Sequence, residues 1–514
     1  MNAMTGFDYT MYPFATVNEQ DFQNLLSIYL DAVFRPNIRY MDFLQEAWRI
    51  GEGGEQESLV FKGVVFNEMK GAMADKDSIF FRRVIAATNP SGTYSFNSGG
   101  EPLAIPSLTH DELKQFHADH YNPANAQIIT YGNIAMNDTG NQISEALNSV
   151  PSGQKAPTIL PEPRWTTRRD TTFSCPWNES AQDPLKQSTA AVVWMICDRS
   201  DSWKNFLWGI IGSLLCDGPS SPLYKELIES GLGSGYATGT GFLPYMKDSL
   251  FLAGLHDVAE NDLDQVHAKV ISGIERVLVN GFPENEINAK IHQIELQNRH
   301  QSAKFGLGLG FGLHPAILHG ADPNECLQVV KMVDRLRSEL DKNPNFLIDE
   351  VQSMILNNES RVHIKMIAEK NYEEKQKELE GDLLKSHLDK MNKKQKIECL
   401  DIELDLEMEQ SAAPDMSCLP TLHKSDIPKE KENLFPDQVD ENIHLLKTQG
   451  SGLTYIRALI ELDNLSNKEL DLLPIYEAVI TQIGRGQYDY RNGFISISDS
   501  DSEFQLATQV NKIV

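Results

Sequence analysis

The sequence predicts an α+β fold, with repeated units of antiparallel-rich sheet and packed helices joined by a helical hairpin. Segments with strand-type and helix-type spacing of apolar residues alternate along the chain. The strand–helices–strand–paired helices order of the second unit repeats the logic of the first. A charged stretch rich in Lys, Glu and Leu then follows without any strand pattern. The 514 residues, 41% of them hydrophobic, allow about three domains.

Six prolines among polar residues between positions 151 and 184 mark a linker, and a second polar stretch with prolines follows the charged region. We therefore predict the remainder of a first α+β domain at 1–145, a linker at 146–185, a second α+β domain at 186–325, a helical hairpin hinge at 326–412, a linker at 413–440 and the start of a third, truncated α+β domain at 441–514.

The first unit is predicted to contain helices and one closing strand. Apolar residues recur every three or four positions in Glu19–Phe34, which indicates a helix. A second helix is predicted from Phe61 to about position 84. Thr109 and Glu112 have the spacing of a capping box, which predicts that a helix begins there. Residues 127–131 are predicted to form the strand that closes the unit.

The second unit and the segments after it show the same alternation. Strands are predicted at 190–197 and 249–255, and helices at 206–215, 223–230, 262–278 and from Pro283 through Glu295. The charge runs 373–384 and 393–409 are typical of the solvated faces of a helical hairpin. Near the end of the chain, a strand is predicted at 453–462 and a helix at 469–483.

Composition excludes some classes of partner. The formal net charge of −27 argues against nucleic acid, because binding to phosphates needs a basic face. The same charge would attract basic peptides, although it also serves solubility alone. The six cysteines form no C-x-x-C pair, which is typical of a reducing compartment. No apolar run is long enough to span a membrane.

Glu68 is the candidate functional residue that stands out. Continued at 100° per residue, the helix predicted from Phe61 places Glu68 in the middle of a stripe formed by Phe61, Val64, Val65 and Ala72. A carboxylate on an apolar face needs a compensating partner. A structural ion pair and a metal or catalytic role are both compatible with this position.

The segment around Glu68 resembles one segment of a known family. Asn67, Glu68, Met69, Lys70, Gly71, Ala72 and Met73 are similar to the distal zinc-glutamate segment of the presequence protease (pitrilysin-related) family of zinc metallopeptidases. Segments similar to that family follow in the same order over essentially the whole chain: residues 2–5, 12–16, 29–34, 98–102, 116–126, 131–133, 218–219 and 227–233.

The resemblance implies a function and a site. In this family an H-x-x-E-H helix and a distal glutamate hold one zinc ion, so Glu68 is expected to be that distal ligand. Asn2, Ala3, Met4 and Thr5 resemble the edge strand on which substrate peptides add as a further strand. The family implies a mitochondrial matrix endopeptidase that encloses short unstructured peptides, such as cleaved presequences, between two halves of a chamber.

The sequence departs from the family pattern because it contains no H-x-x-E-H motif. We expect that motif upstream of Met1, and we expect the third domain and the second half of the chamber to be missing from this chain. With one zinc ligand and no general base, hydrolysis by this chain alone is not expected. The alternative is a non-catalytic scaffold or partner subunit. The retention of Glu68 in its family context favours the peptidase.

Two other groups could be mistaken for metal sites. His292 and Glu295 have the spacing of the zinc motif, but Leu296 stands in place of its second histidine. His117 and His120 are three residues apart on a helix, and we interpret them as structural histidines. The glycine-rich runs 231–235 and 306–312 complete no phosphate-binding motif. The sequence indicates neither a serine nor a cysteine nucleophile.

Overall fold

A mixed sheet organises most of the described structure, which is a computed structural model. It describes residues 2–53, 59–413, 415–429, 435–440, 443–447, 452–459, 462, 465–480 and 483. The first unit contains β1 (Met4–Thr5), β2 (Thr10–Met11), α1 (Glu19–Phe34), α2 (Tyr40–Glu46), β3 (Arg49–Glu52), β4 (Leu59–Lys62), α3 (Val64–Ala72), α4 (Lys76–Thr88), α5 (His110–His120) and α6 (Met136–Leu147).

The second unit supplies the sheet and the helices on one of its faces. Its elements are β5 (Arg169–Pro176), β6 (Lys186–Asp198), α7 (Ser202–Cys216), α8 (Pro222–Leu227), β7 (Gly235–Tyr236), β8 (Gly241–Leu243), β9 (Asp248–Ala259), α9 (Leu263–Asn280), α10 (Glu284–Arg299), α11 (Phe305–Leu318), α12 (Pro323–Cys326), α13 (Val329–Lys342), α14 (Phe346–Val351) and β10 (Arg361–Glu369). The last elements are α15 (Tyr372–Lys390), α16 (Lys393–Ser411), β11 (Gln438–Asp440), β12 (Ile443–Leu445) and α17 (Asn467–Val479).

The sheet has the strand order β5–β10–β6–β9–β7, and β8 also pairs with β9. All pairs are antiparallel except β5 with β10, which is parallel. Strands β6 and β9 are buried along nearly their whole length, because helices cover both faces of the sheet. One face carries the large side chains of α7 and α9, including Trp208 and Val270. The α+β prediction is confirmed.

The first unit covers the opposite face of the same sheet. Ile79, Phe80 and Val84 of α4 lie in one buried cluster with Val193 of β6 and Ile364 of β10. Helix α4 begins at the side chain of Asp75, which accepts a hydrogen bond from the backbone amide of Ser78. The first unit therefore buries its apolar helix against a sheet that the second unit provides.

The hairpin α15–α16 follows β10 and packs back on the first unit. Leu383 and Leu388 contact the small cluster that holds Phe61 and Phe66. Glu403 of α16 accepts hydrogen bonds from Lys62 (2.6 Å) and Arg49 (3.1 Å). Burial raises the pKa of Glu403, but these two hydrogen bonds outweigh burial and lower its pKa overall.

Several strands differ from the sequence predictions. β5 lies inside the predicted linker 146–185, and β10 lies inside the predicted hinge 326–412, because the two strands pair with each other in the second unit's sheet. Residues 127–131 are not a strand, and among the described residues none pairs with them. A strand needs a neighbour to satisfy its backbone groups. The other predicted domain boundaries stay predictions.

The prediction at the end of the chain is tested only in part. Residues 453–459, predicted as a strand, have no regular secondary structure, whereas α17 agrees with the helix predicted at 469–483. Most of the predicted third domain, 441–514, lies outside the described residues.

Candidate functional site

Helix α3, which carries Glu68, begins at a glycine that no other residue could replace without strain. Gly63 has a φ of +143°, and a Cβ atom on it would lie 2.3 Å from the carbonyl oxygen of Ala47. The backbone amide of Phe66 donates a hydrogen bond to that same oxygen at 3.3 Å. This close approach fixes the start of α3 against the end of α2. The sequence analysis missed Gly63, although a glycine after a β-type run was a signal for a break.

The structure corrects the predicted surroundings of Glu68. Phe61 belongs to β4 rather than to a helix, so the predicted apolar stripe does not continue through it. The buried face of α3 is formed by Phe66 and Met69, whereas Glu68 is exposed. Val64 and Val65 are 52% and 37% exposed and lie on the same face as Glu68. The predicted grouping of Glu68 with valines is present, but it faces outward.

The Glu68 carboxylate is available to a ligand. Among the described residues, none forms a hydrogen bond or an ion pair with it. Its neighbour Lys70 instead pairs with Glu380 of α15 at 2.7 Å. Gly99 lies against the sulfur of Met69, so the Ser98–Gly100 loop supports the buried side of α3. The helix is thus held from behind by the hairpin and this loop, while its Glu68 face stays open.

Glu68 fits the role of a single zinc ligand, because no other described residue engages its carboxylate and its helix is well supported. A complete site needs more. Within the described ranges, no group of three or more His, Cys, Asp or Glu side chains could hold a metal ion. The described residues therefore provide one candidate ligand and no complete zinc centre.

The residues of the candidate peptide strand lie in a short hairpin. Met4 and Thr5 of β1 pair with Met11 and Thr10 of β2. Asn2, Ala3, Met4 and Thr5 are all exposed, and the amide of Asn2 donates to the hydroxyl of Tyr29 at 2.8 Å. In the part of the chain that the structure describes, only β2 pairs with β1, so the other edge of β1 is open.

The histidines that could be mistaken for metal ligands have other partners. Nε2 of His117 lies 2.8 Å from the carbonyl oxygen of Val33, and its ring stacks on Tyr121. His120 contacts the ring of Phe116 with 4.4 Å between centroids.

In the other pair, Glu295 is bound by Arg337 at 3.0 Å and does not join His292 and Leu296 in a metal site. None of the described helices is both long and apolar enough to cross a lipid bilayer.

Two family models match this chain. The model of the peptidase M16 inactive domain matches residues 107–294. The model of the domain associated with the C subgroup of the same peptidases matches residues 366–500. The first covers most of the second unit's sheet and helices α7–α9, and the second begins in β10 and includes the hairpin α15–α16.

Curated relatives match almost the whole chain. The mitochondrial presequence protease of Mus musculus is 39% identical over 499 residues, which is 96% of this chain and 48% of that protein. The corresponding protein of Xenopus tropicalis is 37% identical over 96% of this chain and 48% of its own length. That of Yarrowia lipolytica is 36% identical over 94% of this chain and 49% of its own length. This chain therefore spans about half the length of these relatives.

Solved structures share the fold. A protease from Helicobacter pylori has a TM-score of 0.53 and 15% identity, covering 68% of this chain and 77% of its own. The first half of the periplasmic protease PqqL from Escherichia coli has a TM-score of 0.51 and 15% identity, covering 80% of this chain and 81% of its own. With the family models and the curated relatives, these findings lead to one conclusion: the chain belongs to the presequence protease family of M16 peptidases.

Proposed function

We propose that this chain is part of a zinc metalloendopeptidase of the mitochondrial matrix that degrades short unstructured peptides, such as cleaved presequences. Glu68 is the distal zinc ligand, and Asn2, Ala3, Met4 and Thr5 form the strand to which the peptide pairs. The observation that carries the proposal is the open face of α3, where a carboxylate with no partner among the described residues lies between exposed valines.

The open face indicates that another protein segment covers it in the active enzyme. Val64 and Val65 would be removed from water by such a segment, and burial of apolar area is favourable. The same segment would approach Glu68, which lies one turn further along α3. A zinc-binding helix packed here would place its ligands beside the carboxylate. When bound, zinc supplies an activated water for peptide hydrolysis.

The chain's own residues have two tasks in this proposal. Glu68 contributes one oxygen ligand from a helix that Gly63 and the hairpin hold in place. The open edge of β1 offers backbone amide and carbonyl groups to an extended peptide, which gives affinity without a requirement for particular side chains. Selection by extended conformation suits a peptidase of unstructured substrates.

A hybrid enzyme tests the proposal. The half of the mouse presequence protease that matches this chain is replaced by the chain, and cleavage of a basic presequence peptide is measured with and without a chelator. We expect chelator-sensitive cleavage, which Glu68→Gln reduces at least about a hundredfold together with zinc content. The matched control is Glu378→Gln, since Glu378 is also an exposed helical glutamate.

The hybrid also discriminates between the peptidase and a non-catalytic scaffold. If the hybrid folds but Glu68→Gln leaves zinc content and cleavage unchanged, Glu68 is no ligand and the scaffold is favoured. The 514-residue chain measured alone is expected to show neither stoichiometric zinc nor cleavage. Stoichiometric zinc with chelator-sensitive cleavage by the chain alone would contradict the single-ligand interpretation.

A further inference from the structure

The turn between β1 and β2 buries a carboxylate. The amide of Gly6 donates to the carbonyl oxygen of Tyr9 at 2.8 Å and closes the turn. Asp8, at the tip of the turn, has a side chain that is 0% exposed. A buried ionised carboxylate is costly unless hydrogen bonds compensate for the lost water. The partners of Asp8 therefore determine whether this turn can keep its position.

Two buried side chains meet the same oxygen of Asp8. The hydroxyl of Tyr94 donates to Oδ2 of Asp8 at 2.6 Å, and Nε2 of His319 lies 3.0 Å from that oxygen. The backbone amide of Lys247 donates to the Tyr94 hydroxyl at 2.8 Å, so the hydroxyl proton is directed at Asp8. Burial, and then the charge of Asp8, raise the pKa of Tyr94, which therefore keeps that proton.

These contacts tie the hairpin to the second unit. His319 directly follows α11, and Lys247 directly precedes β9. The ring of Tyr9, next to Asp8, also contacts His314 of α11 with 4.4 Å between centroids. Asp8 is thus the point at which the position of α11 is passed to the turn between β1 and β2.

Helix α11 contains the glycine-rich run 306–312. Its four glycines lower its intrinsic stability, by about 1 kcal/mol each relative to alanine. Such a helix depends on its tertiary contacts for its position. The contacts of His314 and His319 with the hairpin are among these, so the hairpin and α11 hold each other in place.

The network is not arranged for stability alone. Oδ1 of Asp8 is buried and has no hydrogen-bond partner in the described part of the chain. An unsatisfied buried acceptor lowers stability, and an apolar side chain often replaces a buried ion pair without loss. What Asp8 provides that an apolar residue could not is direction, because two donors from different parts of the chain converge on one oxygen.

We propose that Asp8 is a positioning residue for the peptide-binding strand. By binding Tyr94 and His319 it fixes the orientation of the hairpin, and hence the direction in which the open edge of β1 presents its backbone groups to a peptide. The second unit thereby sets the geometry of peptide binding through α11. The proposal rests on the proposed function for the identity of the ligand, but the anchoring of the hairpin is independent of it.

Hydrogen exchange on the full 514-residue chain without peptide tests the anchor. We expect Asp8→Asn to accelerate amide exchange in residues 2–11 at least about tenfold, because it weakens charge-assisted hydrogen bonds, while exchange in β6 and β9 stays unchanged. Tyr94→Phe, which removes one donor and keeps the ring, is expected to act in the same direction. Asp138→Asn, at an exposed aspartate of α6, is the matched control. Unchanged exchange in residues 2–11 in both test variants would overturn the proposal.

A second measurement uses a fluorescein-labelled basic presequence peptide and its anisotropy with the same variants. We expect Asp8→Asn to weaken binding at least about fivefold at an unchanged thermal midpoint. Faster exchange with unaltered peptide affinity would overturn the link between the anchor and the peptide. If the unmodified chain binds no peptide, the proposed role of β1 fails, whereas the exchange result still decides whether Asp8 anchors the hairpin.

Discussion

The two units of this chain contain similar kinds of elements but differ in how completely they are closed. In the second unit, β6 and β9 lie in the middle of a sheet with helices on both faces. In the described part of the first unit, strands form only the two-stranded ladders β1–β2 and β3–β4. Ile128 and Ile129 remain 45% and 44% exposed there.

The difference teaches where to look for chemistry. The closed unit has used its apolar faces within the chain, so it has little surface left that asks for a partner. The open unit presents the Glu68 face of α3, the free edge of β1 and the exposed isoleucines. Surfaces of this kind mark sites of interaction. All the candidate functional residues lie in the open unit.

The largest effect is expected from breaking the closed unit. Trp194 of β6 is 0% exposed and packs against Phe251 of β9. We expect Trp194→Ala to lower the free energy of unfolding by about 3–5 kcal/mol, because it leaves a large cavity in a sheet that cannot collapse around it. Urea denaturation measures this change.

The control for this prediction comes from the open unit. Phe96 is also aromatic but is 79% exposed, and Phe96→Ala is expected to change stability by no more than about 0.5 kcal/mol. Equal effects of the two substitutions would show that the two units do not differ in closure as described.

A smaller effect is expected from acid on the closed unit. Burial, and then the neighbouring His267 and Arg168, lower the pKa of His363 from 6.5 to about 4. The unfolded chain therefore takes up a proton as the pH falls below 6.5, whereas the folded chain resists until about pH 4. We expect the stability present above pH 6.5 to decrease by about 1–3 kcal/mol over this window.

The substitution His363→Gln removes the titrating group. Unfolding measured in urea at several pH values should then show a shallower decrease between pH 6.5 and 4 than in the unaltered chain. The same slope in both proteins would mean that other groups account for the pH dependence.

The smallest effect is expected on the open face of α3 and sharpens the comparison. Gly71 is exposed, and a Cβ atom on it would meet nothing within 4 Å. We expect Gly71→Ala to stabilise the chain by about 0.5–1 kcal/mol, since alanine favours a helix over glycine. In the hybrid with the mouse protein, the same substitution is expected to reduce cleavage, because a covering segment would meet the added methyl group.

Gly308→Ala on α11 is the control, since its Cβ would also meet nothing within 4 Å. It is expected to leave cleavage by the hybrid unchanged. If Gly71→Ala also leaves cleavage unchanged, no segment approaches that part of α3 closely.

The elements of the closed unit were largely predictable from sequence. The strands predicted at 190–197 and 249–255 lie within β6 and β9, and the helix predicted at 262–278 nearly coincides with α9. Their apolar patterns arise from burial within the chain itself. The capping box of Thr109 and Glu112 was likewise confirmed, because both of its hydrogen bonds are local.

The open unit was less predictable for the same physical reason. The helical pattern from Phe61 to Glu68 crosses Gly63, where the backbone turns from β4 into α3, so periodicity alone placed Glu68 on the wrong face. The anchor of Asp8 also left no signal in the sequence. Its partners Tyr94 and His319 are brought together only by the packing of the two units.

The packing of α4 on the sheet has a consequence for the order of synthesis. The apolar side chains of α4 are covered by β6 and β10, and β10 emerges from the ribosome long after α4. Contacts so distant in sequence form slowly, and exposed apolar surface invites aggregation in the meantime. The nascent first unit is therefore the stage at which this polypeptide most needs a chaperone.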